Sequence, residues 1–237
     1  MDRTEDNPEA EQLIAYLQAH NWRQAASGSG FGDFQPRYVF QVPLRGRSEA
    51  DLLAGFNQQW RRNIRKAEQA GVVVRIGGRD DLPRFHECYV QTAARDGFTP
   101  RPLSYFTTMW QHMSAEAPER ISLYLAEHAD FPGVIAATLM TRVGTHVWYS
   151  YGASATAARD LRPSNAIQWA MMRDALNTGA AVYDLRGISS TLDSTDRLFG
   201  LLQFKVGTGG YAQEYVGEWD LVLAPFWAAA YRLYMAR

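Results

Sequence analysis

A lysine beside a glycine-rich turn is the first candidate for chemistry in this sequence. Lys205 precedes the run Gly207 to Ala212, which matches the dinucleotide-binding pattern G-x-G-x-x-A. Such a loop binds a pyrophosphate where it joins a strand to a helix, because the amides of the helix hold the anion. Here the residues from Tyr211 to Leu223 alternate as in a strand, no carboxylate follows Asp220, and a P-loop would need its lysine after the glycines. The pattern therefore predicts a turn that positions Lys205.

A second candidate is an arginine-rich, helix-like segment that runs from Ser48 to Ala70 and ends at Gly71. Residues four positions apart lie on the same face of a helix. The basic residues at this spacing are Arg61, Arg62, Arg65 and Lys66, and Arg75 and Arg79 follow them. Such a basic surface suits a phosphate backbone, and it equally suits solvent. Both interpretations stay open at this point.

Tyrosines form two further candidates for ligand contact. Arg101 lies four residues before Tyr105, where a guanidinium and a phenol one helical turn apart can both contact a phosphate or carboxylate. The structural alternative is an arginine stacked on a surface tyrosine. Tyr149 and Tyr151 are predicted to share one face of a strand, with Trp148 on the opposite face. Aligned aromatic residues form a core more often than a ligand platform.

Asp184 is a candidate general base, and His86 and Cys88 form a superficial base and nucleophile pair. A carboxylate at the end of a strand commonly caps the turn that follows, so Asp184 has a ready structural explanation. Two helical residues that are two positions apart do not face each other, so the His86–Cys88 pair is set aside. Asp184 is kept in either role.

The sequence offers no set of ligands for a metal ion. Cys88 is the single cysteine, which excludes an intramolecular disulfide and a cysteine zinc cluster. The five histidines are far apart, and none belongs to an H-E-x-x-H pair. We expect neither a metal site nor a cofactor.

Size and charge restrict the class of protein. With 237 residues, of which 46% are hydrophobic, the chain can bury a full core. It has 24 basic and 25 acidic residues, so a polyanionic partner must meet a local basic face. No run of about 18 apolar residues occurs, and the acidic amino terminus lacks the apolar segment of a secretion signal. We expect a globular protein of the cytoplasm.

These candidates must be positioned by a mixture of strands and helices. Residues 1–36 are predicted to form a peripheral arm, with a helix from Pro8 to His20 and a Gly/Ser-rich connection over residues 27–34. In residues 37–237, strand and helix patterns alternate, three strands follow one another in mid-chain, and one long strand is predicted from Tyr211 to Leu223. This order predicts an α/β (α+β) domain with a central mixed sheet.

Several blocks of the sequence, taken in order, resemble the Fem family of tRNA-dependent aminoacyltransferases. The blocks lie between residues 37 and 224 and read "RRNIRKAEQAGV", "TAARDGFTPRPLSYF", "WYSYGAS", "PSNAIQW", "YDLRGI" and "LFGLLQFKVGTGGYAQEYVGEWDL". The resemblance implies a GNAT-like acyltransferase fold whose sheet is mainly antiparallel and flanked by helices. It also implies transfer of an amino acid, alanine or glycine, from aminoacyl-tRNA to the amine of a peptide.

The resemblance also implies roles for individual residues. Lys205 matches the lysine of the family motif FK-x-G-x-GG, which is implicated in catalysis or in holding phosphates. The residues implied to bind substrate are Arg101, Tyr105, Tyr149, Tyr151, Phe204 and Asp184. Within this set, the Arg-x-x-x-Tyr pair would contact precursor phosphates and the Tyr-x-Tyr pair would line the substrate channel. The residues implied to contact tRNA are Arg61, Arg62, Arg65 and Lys66.

Two departures from the family pattern bear on the acceptor. Thr208 replaces the aromatic residue of FK-x-GFGG, and residues 1–36 are too short to form the first of the two tandem domains that typical members have. We therefore expect a small acceptor, a peptidyl-nucleoside antibiotic intermediate, free or carrier-bound, as for the stand-alone alanyl-tRNA-dependent transferase of pacidamycin assembly. The alternatives are a peptidoglycan precursor stem peptide as acceptor, an acyl-CoA-dependent N-acyltransferase and a non-catalytic binding protein.

Overall fold

A seven-stranded sheet organises the protein, with helices packed on both of its faces. The computed structural model describes residues 7–24 and 36–235, and the Gly/Ser-rich connection predicted over residues 27–34 lies outside them. The helices are α1 (Pro8–Ala19), α2 (Glu49–Gly55), α3 (Gln58–Gln69), α4 (Leu82–Asp96), α5 (Leu103–Glu116), α6 (Pro163–Asn177), α7 (Phe199–Val206) and α8 (Pro225–Met235). The strands are β1 (Trp22–Gln24), β2 (Tyr38–Pro43), β3 (Val73–Gly77), β4 (Ile121–His128), β5 (Phe131–Val143), β6 (His146–Ser154), β7 (Val182–Gly187), β8 (Tyr211–Glu214) and β9 (Trp219–Leu221).

The order of strands in the large sheet is β3-β4-β5-β6-β7-β2-β8. All neighbours are antiparallel except β6 and β7, which are parallel. The predicted mixed, mainly antiparallel sheet is thereby confirmed. Helix α6 connects the two parallel strands, so it runs back from the end of β6 to the start of β7. The first turn of α6 therefore lies at the carboxyl edge of these strands.

Apolar residues pack on the two faces of the sheet as two separate cores. The core under α3 and α6 contains Trp60, Ile167 and Tyr183, all buried. The core under α4 and α5 contains Phe85 and Phe106, whose ring centroids lie 5.0 Å apart. Burial of apolar side chains in both layers holds the sheet between its helices.

The helix predicted from Ser48 to Ala70 is two helices. Phe56 is extended, with φ −68° and ψ 145°, and it interrupts the helix after α2. Asn57 then caps α3, because its side chain accepts a hydrogen bond from the backbone N–H of Trp60. The extended Phe56 and the cap at Asn57 therefore divide a segment whose sequence pattern predicts one continuous helix.

The long strand predicted from Tyr211 to Leu223 is also divided. Strand β8 pairs with β2 in the large sheet, whereas β9 pairs with β1 in a separate two-stranded sheet. Gly217, at φ 87°, lies between them and adopts a conformation that residues with a Cβ rarely reach. The residue types alternate through Gly217 in the sequence, so the pattern predicts one long strand where the structure has two.

The two ends of the described chain meet at this small sheet. Trp22 of β1 pairs with Leu221 of β9, so the amino-terminal residues contact the carboxyl-terminal strand. Helix α8 follows and exposes the apolar side chains Phe226, Trp227 and Tyr231. No helix in the described part of the chain is both long and apolar enough to cross a membrane.

Candidate functional site

The sheet opens where its two parallel strands diverge. Residues 146–148 of β6 pair with residues 182–184 of β7, and the ladder ends there. Beyond this point β6 remains paired with β5, and β7 remains paired with β2. A gap therefore separates residues 149–154 from residues 185–187. The carboxyl ends of parallel strands are common binding positions, so this gap is a candidate cleft.

Lys205 lies at the carboxyl end of β7, beside this gap. It occupies the last turn of α7 and is 3% exposed. Its Nζ donates hydrogen bonds to the backbone carbonyls of Arg186 and Gly187. Burial lowers the pKa of the Lys205 ammonium to about 8, and the nearby Asp184 carboxylate opposes this shift. Lys205 is therefore a buried cation that titrates close to neutral pH.

Helix α3 packs on the turn that follows Lys205. The indole Nε1 of Trp60 donates to the carbonyl of Phe204 at 2.7 Å, and the two rings lie 4.6 Å apart. A Cβ at Gly207 would lie 2.2 Å from Trp60 Cδ1, so the indole fits only against glycine. The backbone N–H of Asn57 donates to the carbonyl of Gly207 at 2.9 Å. Phe204 joins α7 to α3, and its contact with substrate stays a prediction.

The rest of the glycine turn lies against neighbouring backbone. Gly209 has φ 69°, and a Cβ there would lie 2.1 Å from the carbonyl oxygen of Gly55. A Cβ at Gly210 would lie 2.2 Å from a carbonyl oxygen of β2. Thr208 is fully buried and donates its hydroxyl to the carbonyl of Lys205 at 2.6 Å. These contacts confirm the prediction that the glycines form a turn that positions Lys205.

Asp184 is a buried acceptor, 1% exposed, at the centre of a polar network. Its Oδ1 accepts a hydrogen bond from the backbone N–H of Arg186 at 2.6 Å. Both residues lie within β7, so Asp184 supports the positive φ of Arg186 inside the strand, and the prediction that it ends the strand and caps the following turn is wrong. Its Oδ2 accepts from Gln41 Nε2 at 3.1 Å and lies 3.3 Å from His146 Nε2. Gln41 Nε2 also donates to the hydroxyl of Tyr215 at 2.9 Å. A ligand would meet His146 and Tyr215 before it met the carboxylate.

Three members of this network, Gln41, His146 and Tyr215, were not identified from the sequence. Gln41 had a usable signal, because a glutamine inside the apolar strand "YVFQVP" is buried and must find partners. His146 had none, because its contact with Asp184 depends on the pairing of strands that are distant in the sequence. Its ring stacks on Trp148 with centroids 4.3 Å apart.

Arg101, Tyr105 and Tyr151 form a second cluster, on the side of α5. The Arg101 guanidinium lies 4.7 Å from the centre of the Tyr105 ring, which is the predicted stack. The hydroxyls of Tyr105 and Tyr151 are 2.9 Å apart. Burial and this hydrogen bond raise the pKa of Tyr151 to about 12, so the phenol is neutral at physiological pH. The structure therefore joins three of the predicted substrate-binding residues.

The prediction that Tyr149 and Tyr151 share one face of a strand is wrong. Leu139 pairs with Tyr151 and Met140 with Tyr149, so Ser150 is an extra residue in β6, a β-bulge. The bulge reverses the alternation, and Tyr149 packs on the core under α3 and α6 whereas Tyr151 packs on the core under α4 and α5. Burial raises the pKa of Tyr149 to about 12. The two phenols therefore cannot line one channel side by side.

Helix α3 has a basic outer face. The exposed cations are Arg62, Arg65 and Lys66, and none of them forms an ion pair within residues 7–24 and 36–235. On the opposite side of the helix, Trp60 and Ile64 are buried in the core. These three cations are available to an anionic partner.

Two other arginines of the predicted basic surface have structural partners instead. Arg61, which was grouped with the tRNA contacts, donates to two backbone carbonyls at the end of α2. Arg75 forms ion pairs with Asp81, at 2.7 Å, and with Glu127, at 3.2 Å. The basic surface is therefore narrower than predicted, because the spacing of charges along the sequence does not show which of them meet a partner within the fold.

Comparison with known proteins identifies one family. The model of the FemAB family matches residues 2–128 and 119–235. A Lipid II:glycine glycyltransferase of Staphylococcus aureus (strain USA300) is 26% identical in an alignment 251 positions long, which covers 80% of this chain and 59% of that protein. The chain thus spans less than two thirds of the length of this curated relative.

Solved structures show the same fold. The crystal structure of FemX superposes with a TM-score of 0.80 at 22% identity, and the match covers 94% of this chain and 71% of that chain. A GCN5-related N-acetyltransferase from Sphaerobacter thermophilus gives a TM-score of 0.50 at 13% identity, covering 86% of this chain and 54% of that one. At these identities the likeness concerns the fold, and the GNAT-like fold expected from the sequence is confirmed.

Proposed function

Because the chain belongs to the FemAB family, we propose that it transfers an amino acid from aminoacyl-tRNA to the amine of a peptide. The family match along most of the sequence is the observation that carries this proposal. Two features of the structure support it: a buried cation beside a gap in the sheet, and a basic helix packed on the turn that holds this cation. A buried cation can stabilise the oxyanion of an acyl transfer, and a basic helix suits a polyanionic donor.

For the acceptor we propose the stem peptide of a peptidoglycan precursor, with glycine as the transferred amino acid. The support is the name of the Staphylococcus aureus relative, Lipid II:glycine glycyltransferase, which specifies lipid II and glycine. The alignment with this chain covers 59% of that protein. The antibiotic intermediate expected from the sequence, and a carrier protein that would present it, have no support from the relatives named above. The peptidyl nucleoside and the carrier-bound peptide are therefore tested as alternative acceptors in the experiment below.

The proposed reaction is aminolysis of an ester. The neutral amine attacks the ester carbonyl, a C–N bond forms, the C–O bond to the ribose breaks, and the ribose oxygen takes up the proton that the amine loses. The ester is already activated, so the protein mainly contributes proximity and stabilisation of the developing oxyanion. In our proposal the acyl group enters the gap between β6 and β7, where the field of the Lys205 ammonium favours the oxyanion.

The acceptor is proposed to bind between the two polar clusters. Arg101 supplies a cation for its acidic groups, and the neutral phenols of Tyr105 and Tyr151 supply hydrogen bonds. Tyr105 also borders an open surface groove of about 450 Å³ on the outer side of α5. Asp184 contributes indirectly, because it holds Gln41 and His146 in place.

The test is product analysis with the full chain. Glycyl-tRNA and alanyl-tRNA are each incubated with a lipid-linked stem peptide, a carrier-bound peptide and a peptidyl nucleoside, and the products are identified by mass spectrometry. We expect glycine to be added to the stem peptide. Alanine on the nucleoside peptide would support the antibiotic acceptor instead, acetylation in a parallel reaction with acetyl-CoA would support the acyl-CoA alternative, and no product in any reaction would refute transferase activity.

Charge reversal on α3 should weaken tRNA binding. In the variant Arg62→Glu/Arg65→Glu, the slope of log K against log salt should fall by about two, because fewer counterions are released from the RNA. The measurement is a salt titration of tRNA binding by fluorescence anisotropy. The control is Arg23→Glu/Arg45→Glu, which changes the net charge equally at exposed positions outside α3 and should retain the wild-type slope. Equal slopes for the two variants would exclude α3 as the contact.

A further inference from the structure

The first turn of α6 contains hydrogen-bond donors that no described residue satisfies. Two buried nitrogen atoms, Arg162 Nε and Asn165 Nδ2, have no partner within the described ranges. Asn165 is 4% exposed, and Arg162 is partly exposed. An unmatched buried donor destabilises a folded protein, and such groups are rare. Two of them within four residues indicate an acceptor that the chain itself does not provide.

The backbone of the same turn adds a third donor. Pro163, the first residue of α6, has no N–H, and the N–H groups of Asn165 and Ala166 bond to the carbonyl of Arg162. The N–H of Ser164 consequently has no acceptor within the helix. No side chain caps this end of α6, which is 15 residues long and carries the positive end of its dipole here. Unmatched hydrogen-bond donors at the positive end of a helix suit an anion with several acceptor oxygens.

This turn lies at the same edge of the sheet as the gap and Lys205. Helix α6 leaves the carboxyl end of β6, and Lys205 contacts the carboxyl end of β7. Further cations along this edge are Arg186 of β7, Arg95, which bonds to the carbonyl of Ser154, and the exposed Arg159. Their acidic neighbours are Asp96 and Asp160. Arg95, Arg159 and Arg162 and the carboxylates of Asp96 and Asp160 thus belong to segments along this edge of the sheet.

We propose that the first turn of α6 binds a phosphate group of the acyl donor through Arg162, Asn165 and the N–H of Ser164. The class of ligand, a phosphate ester, follows from the donor set alone. Its assignment to the 3′-terminal CCA nucleotides of aminoacyl-tRNA rests on the proposed function. A phosphate bound at the first turn of α6, together with the ester beside Lys205, would hold the 3′ end of the aminoacyl-tRNA at two points.

The test uses Asn165→Leu and Arg162→Gly in the full chain. Leucine fills a similar volume without a donor, and glycine suits the left-handed backbone of residue 162, at φ 60° and ψ 39°, so both variants should keep or raise the melting temperature. Binding is measured by calorimetry with the CCA trinucleotide, coenzyme A and inorganic phosphate as probes. We expect each variant to bind the trinucleotide about tenfold more weakly, as for loss of one charge-assisted hydrogen bond. Asn165→Asp should bind still more weakly, since it places a negative charge near the phosphate.

The outcomes separate the phosphate site from the identity of the donor. Equal affinities in wild type and variants, or no binding of any probe by the wild type, would overturn the site. Stronger binding of coenzyme A than of the trinucleotide, with the same loss in both variants, would retain the phosphate site and refute tRNA as the donor. Preference for the trinucleotide, lost in both variants, supports the proposal in full.

Discussion

Replacement of Lys205 by alanine should slow single-turnover transfer from aminoacyl-tRNA about a hundredfold, the usual effect of removing one preorganised electrostatic group. The substitution deletes the buried ammonium at the carboxyl end of β7, where the oxyanion is proposed to form. The rate is measured by rapid quench with enzyme in excess, so that the release of product does not contribute. An unchanged rate would contradict a catalytic role for Lys205.

Two further variants separate catalysis from structure, because Lys205 also binds the carbonyls of residues 186 and 187. Lys205→Met removes the charge and retains an unbranched side chain, and its melting temperature reports the loss of these contacts. Lys205→Arg retains the charge. Ionisation of the acceptor amine raises the rate of both enzymes with pH, so the ratio of the wild-type rate to the Lys205→Arg rate isolates the lysine. Since burial lowers the pKa of Lys205 to about 8, this ratio should fall as the pH rises through 8, because the guanidinium of the variant stays protonated.

The stability of the fold should change with pH in the opposite direction. The pKa of Lys205 is about 8 in the folded protein and 10.5 for an ordinary lysine, so the unfolded chain binds more protons between these values. The burial cost of the ammonium, on the order of 3 kcal/mol, is complete below pH 8 and is relieved as the pH rises toward 10.5. Urea unfolding of wild type and Lys205→Met should therefore show the wild type gaining relative stability across this interval. A constant difference would show that the pKa is not lowered.

Replacement of Gly209 by alanine should lower the free energy of unfolding by on the order of 3 kcal/mol. Two costs add: a residue with a Cβ is strained at φ 69°, and this Cβ would lie 2.1 Å from the carbonyl oxygen of Gly55. Backbone must move to relieve the overlap, and α7 with Lys205 moves with it. The measurement is urea-induced unfolding followed by tryptophan fluorescence.

Gly200 is the matched control for this experiment. It lies in α7, has no positive φ, and a Cβ there would meet nothing within 4 Å. Gly200→Ala should therefore be neutral or stabilising by up to about 1 kcal/mol, because alanine favours the helix. Similar losses of stability in both variants would show that α7 is sensitive to any substitution, and the close approach at Gly209 would not be the cause.

The elements around Lys205 could be predicted from the sequence because their signals are local. A glycine run that follows a helix and precedes alternating residues already indicates a turn with Lys205 at its edge, and the structure has α7, the turn and β8 in this order. The Arg101–Tyr105 stack was also predictable, since the two residues are four positions apart in the sequence, although Arg101 precedes α5, which begins at Leu103. A short separation along the chain is a property of the sequence alone.

The tertiary structure decided which of these residues meet. Asp184 contacts Gln41 and His146 because β6, β7 and β2, which are distant in the sequence, are neighbours in the sheet. The order of strands in a sheet cannot be recognised from the residues of any single strand. Tyr149 and Tyr151 are separated because Ser150 is an extra residue opposite β5, and a bulge exists only relative to a partner strand. The local periodicities of 2 and 3.6 thus determined most elements of this protein, whereas long-range register and packing determined its site.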